Sequence, residues 1–475
     1  MFLLPTVLSF VLRLSLLVPP ATSQHCKLNR ESKRSVQQPL DPSIPSPSIS
    51  RITNSSSTNS ISPTGTSSIK SQPSSTPFVY GRDKVRGVNL GGWFVLEPWI
   101  TPSIFENTGN DAIVDEYTFG QMQNRQDALR VLENHWQTWI VEDDFRQIRA
   151  AGLNHVRIPL GYWSIPLTSK DTQFSTDVSP YIAGAWPYFR QALDWAKSHS
   201  LNVIVDIHGA PGSQNGYDNS GQRTQPPMWA SNQSYVQKTV DCVTFLAKTV
   251  GDKIDILEVM NEPAGFLGDD FTRVLRQYYT DTYNTIRATV GNGTGVMFSD
   301  GFRGLDYWGN SFNVPQYQRT SMDIHMYQIF SNLELSRSLD QHIEYACNLS
   351  QSFVGFESSN IWTVVGEWSN ALTDCAKWLN GRGVGARWEG KWGATSDQHF
   401  FASCQGYTGD SSTFSKDLKD QMRKYFEVQI EVGERVQGWV FWTWKVRRCC
   451  DIPLGLLSET HYRLRTRMTG VIVKE

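Results

Sequence analysis

The chain has 475 residues, a formal net charge of -2, 19% charged residues and 12% aromatic residues. So balanced a charge creates no long-range field for nucleic acid, and no basic stripe marks the body of the chain. Seventeen Trp and 17 Tyr suit either a large core or a cleft whose aromatic planes pack on the apolar faces of a ligand.

Residues 2–19 are apolar apart from Ser, Thr and one Arg, and small residues follow at 21–23. This pattern predicts a secretory signal peptide over 1–23. A membrane anchor needs roughly 20 uninterrupted apolar residues, which this stretch lacks, so no membrane span is expected. The chain is expected outside the cell, secreted or in a cell wall. Residues 24–78 are rich in Ser, Thr, Pro and Asn. They hold too little apolar surface to offset the entropy of ordering and predict a disordered, O-glycosylated linker. Order is expected to begin near Phe78. N-x-[S/T] sequons stand at Asn54, Asn232, Asn292 and Asn348. No CxxC spacing occurs among the seven Cys, which argues against a zinc or redox site. Cys242 falls on an apolar helix face and is expected to be a buried thiol.

Beyond the linker, short apolar runs alternate with helical patterns. Strands are predicted over 85–91, 154–159, 202–208, 254–261, 295–299, 321–325, 362–367 and 438–442. Helices are predicted over 139–151, 186–199, 234–250, 270–290 and 416–432, with helical spacing at Val141, Phe145 and Ile148 and at Phe189, Leu193 and Ala196. Strands separated by helices in this way predict a closed (β/α)8 TIM barrel over 79–445 rather than an open doubly wound sheet. No G-x-G-x-x-G follows the first strand, which weakens a nucleotide-binding reading.

The unusual polar residues fall at the C-terminal ends of these strands: Arg157, His208, Asn261 and Glu262, His325 and Tyr327, Glu367, and Trp442. In barrels that rim is where catalysis is built. Two carboxylates stand out. Glu262 ends the run Leu257-Glu258-Val259-Met260-Asn261 before Pro263, and Glu367 ends Val364-Val365-Gly366 before Trp368. A single Glu at a strand end is usually a solvated rim residue or an ion-pair partner. Two of them, on the fourth and seventh strands, face each other across a barrel mouth. Glycoside hydrolysis needs such a pair, and a separation of about 5 Å predicts retention while more than about 6.5 Å predicts inversion. His208, His325 and Glu367 offer three metal-ligand types. The lack of H-E-x-x-H and the Asn-Glu-Pro context argue against that reading, and no metal or cofactor is expected.

The runs Arg86-Gly87-Val88-Asn89-Leu90-Gly91-Gly92-Trp93, His155-Val156-Arg157-Ile158-Pro159 and Asp206-Ile207-His208-Gly209-Ala210-Pro211-Gly212-Ser213-Gln214-Asn215-Gly216 resemble those of fungal exo-β-1,3-glucanases. So do Met260-Asn261-Glu262-Pro263, His325-Met326-Tyr327, Gly366-Glu367-Trp368 and Trp439-Val440-Phe441-Trp442-Thr443-Trp444-Lys445. These enzymes are retaining (β/α)8 hydrolases of glycoside hydrolase family 5. The resemblance implies exo-hydrolysis of β-1,3-glucan from the non-reducing end, with transglucosylation as a second outcome, by a monomer. It implies Glu262 as acid/base, kept protonated by a nearby like charge, and Glu367 as nucleophile. Asn261 meets the 2-hydroxyl, Arg157 and Tyr327 hold Glu367, and His208 and His325 line the cleaved sugar's site. Glu97, Asp218 and Asn219 recognise the terminal glucose, Trp442 is its platform, and Tyr217 and Phe330 clamp the next sugar. A β-1,6-glucanase or an endo-β-1,4-glucanase on the same barrel is the alternative. An inactive glucan-binding wall protein is another, but it needs neither Glu.

After Lys445 the resemblance stops. Val446-Arg447-Arg448-Cys449-Cys450 opens a tail with no clear period. Val codons begin with GT, so 446–475 is expected to be a gene-model artefact, a translated intron whose absence from the transcript sequencing reveals. A barrel ending there lacks its closing helix and leaves apolar surface on its first and eighth strands uncovered. The resemblance also implies a Cys375–Cys404 disulfide and leaves Cys347 unpaired unless Cys449 or Cys450 substitutes.

Overall fold

The structure, a computed structural model, describes residues 77–167, 176–393 and 399–446. The chain divides into Met1–Val79 and Tyr80–Glu475, and the description that follows is of the second unit. The leader, the linker up to residue 76 and the tail from residue 447 lie outside the described residues.

Strands β1 (Val85–Asn89), β2 (His155–Gly161), β3 (Asn202–Gly209), β4 (Ile256–Glu258), β5 (Gly295–Ser299), β6 (Thr320–Met326), β7 (Trp362–Trp368) and β8 (Gly438–Phe441) run parallel in that order. They close into a barrel. β8 pairs with β1 from Val85↔Gly438 to Val88↔Phe441. The strands are buried on both faces, which is why they read as near-continuous apolar runs rather than alternating ones. The expected incompleteness does not reach the sheet. Val85, Val88 and Val440 are fully buried and Phe441 nearly so, so the uncovered surface predicted for β1 and β8 is not found.

The longer helices are α1 (Arg125–Thr138), α2 (Glu142–Ala150), α3 (Trp186–Ser198), α4 (Gln233–Val250), α5 (Asp269–Val290), α6 (Leu339–Ser359) and α7 (Lys416–Glu434). Phe189, Leu193 and Ala196 bury the predicted face of α3. The helix predicted over 139–151 starts later. Val141 is its N-cap, and the Asp144 carboxylate accepts the Val141 N–H at 2.9 Å. Val141 is therefore exposed, while Phe145 and Ile148 are buried. β4 is also shorter than predicted. After Glu258 single bonds continue the course of the chain, Val259 N–H to Met297 O and Asn261 N–H to Ile207 O, and Glu262 then turns out of line at φ 45°. That left-handed conformation is costly for a residue with a Cβ, and such strain persists where surrounding contacts over-determine it.

Cys375 and Cys404 are joined by a disulfide. Cys347 is disulfide-bonded as well, so the unpaired branch of that conditional expectation does not hold. Cys242 is a buried thiol on α4.

Candidate active site

The polar strand ends converge at the C-terminal mouth of the barrel. Glu262 and Glu367 reach it from β4 and β7. One oxygen from each of them and one His325 nitrogen lie within 4.8 Å of one another. The two carboxylates are held by different partners. Tyr327 donates its hydroxyl to Glu367 Oε2 at 2.9 Å, and Arg157 Nη1 donates to Glu367 Oε1 at 2.9 Å. Glu262 Oε1 meets His325 Nδ1 at 2.7 Å, and Glu262 Oε2 accepts from Asn219 Nδ2 at 2.7 Å.

Arg157, fully buried on β2, organises the floor. Its Nε donates to Glu258 Oε2 at 2.8 Å, its Nη1 also to Asn89 Oδ1 at 3.0 Å, and its Nη2 to Asn261 Oδ1 at 2.8 Å. Asp206 and Asp323 stand 3.5 and 3.8 Å from Nη2. A rigid planar fork with its donors engaged this way fixes Asn261 and Glu367 together. Glycine at 366 is obligatory here. Its N–H donates to Asp323 Oδ1 at 2.7 Å, and a Cβ would stand 2.0 Å from that oxygen.

The protonation pattern departs from expectation. Burial alone would raise Glu262, but the His325 hydrogen bond and charge, with His208 and Asn219, bring it below the ordinary carboxylate value. Glu367 is raised, chiefly by burial and also by the Glu262 charge, against the attraction of His325 and Arg157. Burial opposes a charge on His325, yet Glu367, Asp323 and the bonds to Asp323 and Glu262 outweigh it and raise its pKa well above the usual value. The expected device, a like charge raising Glu262, is thus opposed by the contact with His325, which lowers its pKa.

Several other side chains present unused polar atoms. Glu97 Oε1, Asp218 Oδ2, His208 Nε2 and the Asn261 Nδ2 amide are sealed from solvent without a hydrogen-bond partner. Unpaired buried polar groups are costly, and these four lie among the strand-end residues of the barrel mouth. Glu97 Oε2 accepts from Trp99 Nε1 at 2.9 Å. Burial first, then the charges of Glu367, Asp218 and Glu262, raise Glu97 well above its ordinary value. Asp218 is pushed up to about 7 by burial. His208 Nδ1 meets Asp206 Oδ2 at 2.7 Å, and its ring stacks on Trp442 with centroids 5.7 Å apart. Asn219 bonds Glu262 rather than joining Asp218 as an unpartnered acceptor.

Tyr217 and Phe330 stand at the entrance, 47% and 42% exposed. Phe330 packs edge-on against Tyr327. Two residues the sequence reading missed extend this rim. Phe266 lies 6.4 Å from Tyr217, and Phe302 lies 5.7 Å from Phe266, both about half exposed. Phe266 follows Asn-Glu-Pro and Phe302 sits in a turn after β5, so neither belongs to a strand-end pattern. Glu258 and Asp323, hidden inside apolar strands, were also missed.

Among the described residues, two groups could hold a cation by proximity: Glu258, Asp323 and His325, and Glu262, His325 and Glu367. Both use His325, whose Nδ1 faces Glu262 and whose Nε2 faces Asp323 Oδ2 at 3.1 Å.

A (β/α)8 barrel with two facing carboxylates and unpaired polar atoms in its mouth defines a glycoside hydrolase. Residues 121–445 match the cellulase family, glycosyl hydrolase family 5, and the chain belongs to that family. It is 42% identical over 389 residues to glucan 1,3-beta-glucosidase 2 of Wickerhamomyces anomalus, covering 80% of this chain and 87% of that protein. It is 40% identical over 395 residues to the glucan 1,3-beta-glucosidase of Blumeria graminis, covering 82% and 87%. Among solved structures, the rutinosidase from Aspergillus niger shares the fold, with a TM-score of 0.56, 19% identity and coverage of 78% of this chain and 92% of that one.

Proposed function

We propose that this protein is a retaining exo-β-1,3-glucanase that releases glucose from non-reducing ends, with transglucosylation as a side outcome. The observation that carries the mechanism is the approach of Glu262 and Glu367 to within 4.8 Å. That is closer than the roughly 6.5 Å or more between carboxyl groups that inversion uses to seat a water, and suits direct attack by one carboxylate on the anomeric carbon. In this reading Glu367 attacks, held by Arg157 and Tyr327. Glu262 protonates the departing oxygen and later takes a proton from the incoming water. The Asn261 amide, its Oδ1 held by Arg157, is a free donor for the 2-hydroxyl, a contact that strengthens in the transition state.

The linkage preference rests on the similar proteins, both named glucan 1,3-beta-glucosidases. Exo action is supported by Glu97 and Asp218, whose unpaired carboxyl oxygens suit the hydroxyls of a terminal sugar. Trp442 gives that sugar an apolar floor, and Tyr217 and Phe330 flank the next one. We place the enzyme outside the cell as a monomer, delivered by a leader over 1–23 and spaced by 24–78. No helix among the described residues is long and apolar enough to cross a membrane.

Product analysis on laminarin tests this. Glucose is expected as the first product, with the β-anomer formed initially. Early oligosaccharides mean endo action, and preference for β-1,6- or β-1,4-linked substrates replaces the proposed linkage.

A further inference from the structure

We propose that His325 stores the proton that Glu262 delivers to the departing sugar, so that the two residues work as one acid. The inference rests on the acid/base reading of Glu262 and adds a second residue to it. Its basis is geometric. His325 bridges two carboxylates, Glu262 at 2.7 Å through Nδ1 and Asp323 at 3.1 Å through Nε2. The same Nδ1 stands 3.5 Å from Glu367 Oε2. The ring therefore touches the acid/base, the nucleophile and a buried anchor at once, and its side chain is only 6% exposed.

Other charged groups face the ring from every neighbouring strand. Glu258 lies within the same cluster, Asp206 from β3 and Asp300 after β5 interact with it, and Arg157 opposes them from beside Asp323. Acids outnumber cations around His325. The arrangement favours an imidazolium that donates from both nitrogens, with Glu262 as a carboxylate. One proton belongs to the Glu262–His325 pair. Moving it from Nδ1 to Oε1 turns carboxylate and imidazolium into carboxylic acid and neutral imidazole with no change in the pair's net charge.

The reaction then balances as follows. A Glu367 oxygen pair forms the bond to the anomeric carbon. The bond from that carbon to the leaving oxygen breaks, its electrons staying on the oxygen, which takes the proton of the pair. Glu262 is left as carboxylate beside a neutral imidazole. In the second step water attacks the anomeric carbon and gives a proton to Glu262. The ester electrons return to Glu367, and the proton passes back to His325. The direction of transfer is coupled to chemistry. As Glu367 becomes an ester it loses the charge that holds a proton on His325, and hydrolysis restores both.

The test is the pH dependence of kcat/KM for wild type and His325→Gln on laminaribiose and on 2,4-dinitrophenyl β-glucoside. Two sites sharing one proton hold it more tightly than either alone. The basic limb on laminaribiose is expected to move to lower pH by at least about one unit in the variant, and kcat/KM at neutral pH to fall about 10²-fold or more. The dinitrophenyl substrate, whose leaving group needs no proton, should lose less than about tenfold in its initial burst. An unmoved limb, or equal losses on both substrates, overturns the proposal. Nitrogen NMR of the wild type decides independently of whether the variant folds, with His325→Gln assigning the signals where it does. Two protonated ring nitrogens at neutral pH support the proposal, and one bare nitrogen on His325 overturns it. Azide rescue of Glu262→Ala on the dinitrophenyl substrate separates the two layers. Rescue with an unmoved limb sinks the His325 role alone, whereas no rescue sinks the acid/base reading beneath it.

Discussion

Glu367 and Arg157 depend on each other. A carboxylate buried to 5% exposure stays ionised only because cations face it, and Arg157 stays buried only because acids surround it. Replacing Glu367 by Gln preserves shape but removes the attacking charge. Turnover should fall by roughly 10³-fold or more while Kd for laminarioligosaccharides, measured by calorimetry, changes little. The Glu367 pKa lies above the ordinary carboxylate value. Because the ionised form reacts, activity should be present above that raised value and lost as pH falls through it, so the acid limb of kcat/KM should sit above 4.5, the ordinary value for Glu. A limb well below that would contradict the environment described. Arg157→Lys keeps the charge but supplies one point where a fork serves Glu258, Asn89, Asn261 and Glu367. It is expected to destabilise by about 3 kcal/mol or more in urea unfolding. At this scale the sequence was readable wherever chemistry sits at a strand end, as with Glu262, Glu367 and Arg157. It was silent on Glu258 and Asp323, because an acid inside an apolar strand reveals itself only through partners on other strands.

At the level of elements, the eight strands and five of the longer helices were legible from periodicity, whereas α1 (Arg125–Thr138) and α6 (Leu339–Ser359) went unpredicted and boundaries were not legible. Val141 fits the apolar spacing of α2 yet lies outside it, because the Asp144 side chain caps the helix at that point. β4 looked like eight residues of strand but ends at Glu258, because the chain must swing Glu262 toward His325 and Asn219. The loop after β4 also carries Phe266, whose contact with Tyr217 and Phe302 depends on loop geometry that no period encodes. In the proposed function these rings belong to the side from which the leaving portion of a glucan departs. Phe266→Ala should raise KM for laminarioligosaccharides of four or more units by about two- to tenfold, the scale of one lost sugar–aromatic contact. It should leave aryl glucoside kinetics unchanged. An equal effect on both substrates would place Phe266 in the catalytic architecture instead of on the acceptor path.

Over the whole molecule, the barrel concentrates buried acids, and this sets how stability responds to pH. Glu116, 2% exposed, is pushed up to about 7 by burial, and Asp218 also to about 7. Glu97 and Glu258 are raised as well, with burial the main cause for each. For an acid raised on folding, the folded state binds more protons than the unfolded one, so stability falls as pH rises from the unfolded value through the folded one. For Glu116 that window runs from 4.5 to about 7 and is worth roughly 3 kcal/mol. His325, raised above 6.5, contributes stability fully present below 6.5 and lost as pH climbs through its higher folded value. His155 and His342 act oppositely. Burial lowers them to about 3 and about 4, so their cost grows as pH drops below the unfolded value near 6.5 and vanishes above it. Between pH 6.5 and 8 only the falling contributions remain. Urea unfolding should therefore show lower stability at pH 8 than at pH 6.5, by about 1–3 kcal/mol, with part of that slope absent in His325→Gln. A flat or rising profile across this interval would mean that the acids in the barrel mouth are ionised in the folded enzyme, and that burial controls them less than their cationic neighbours do.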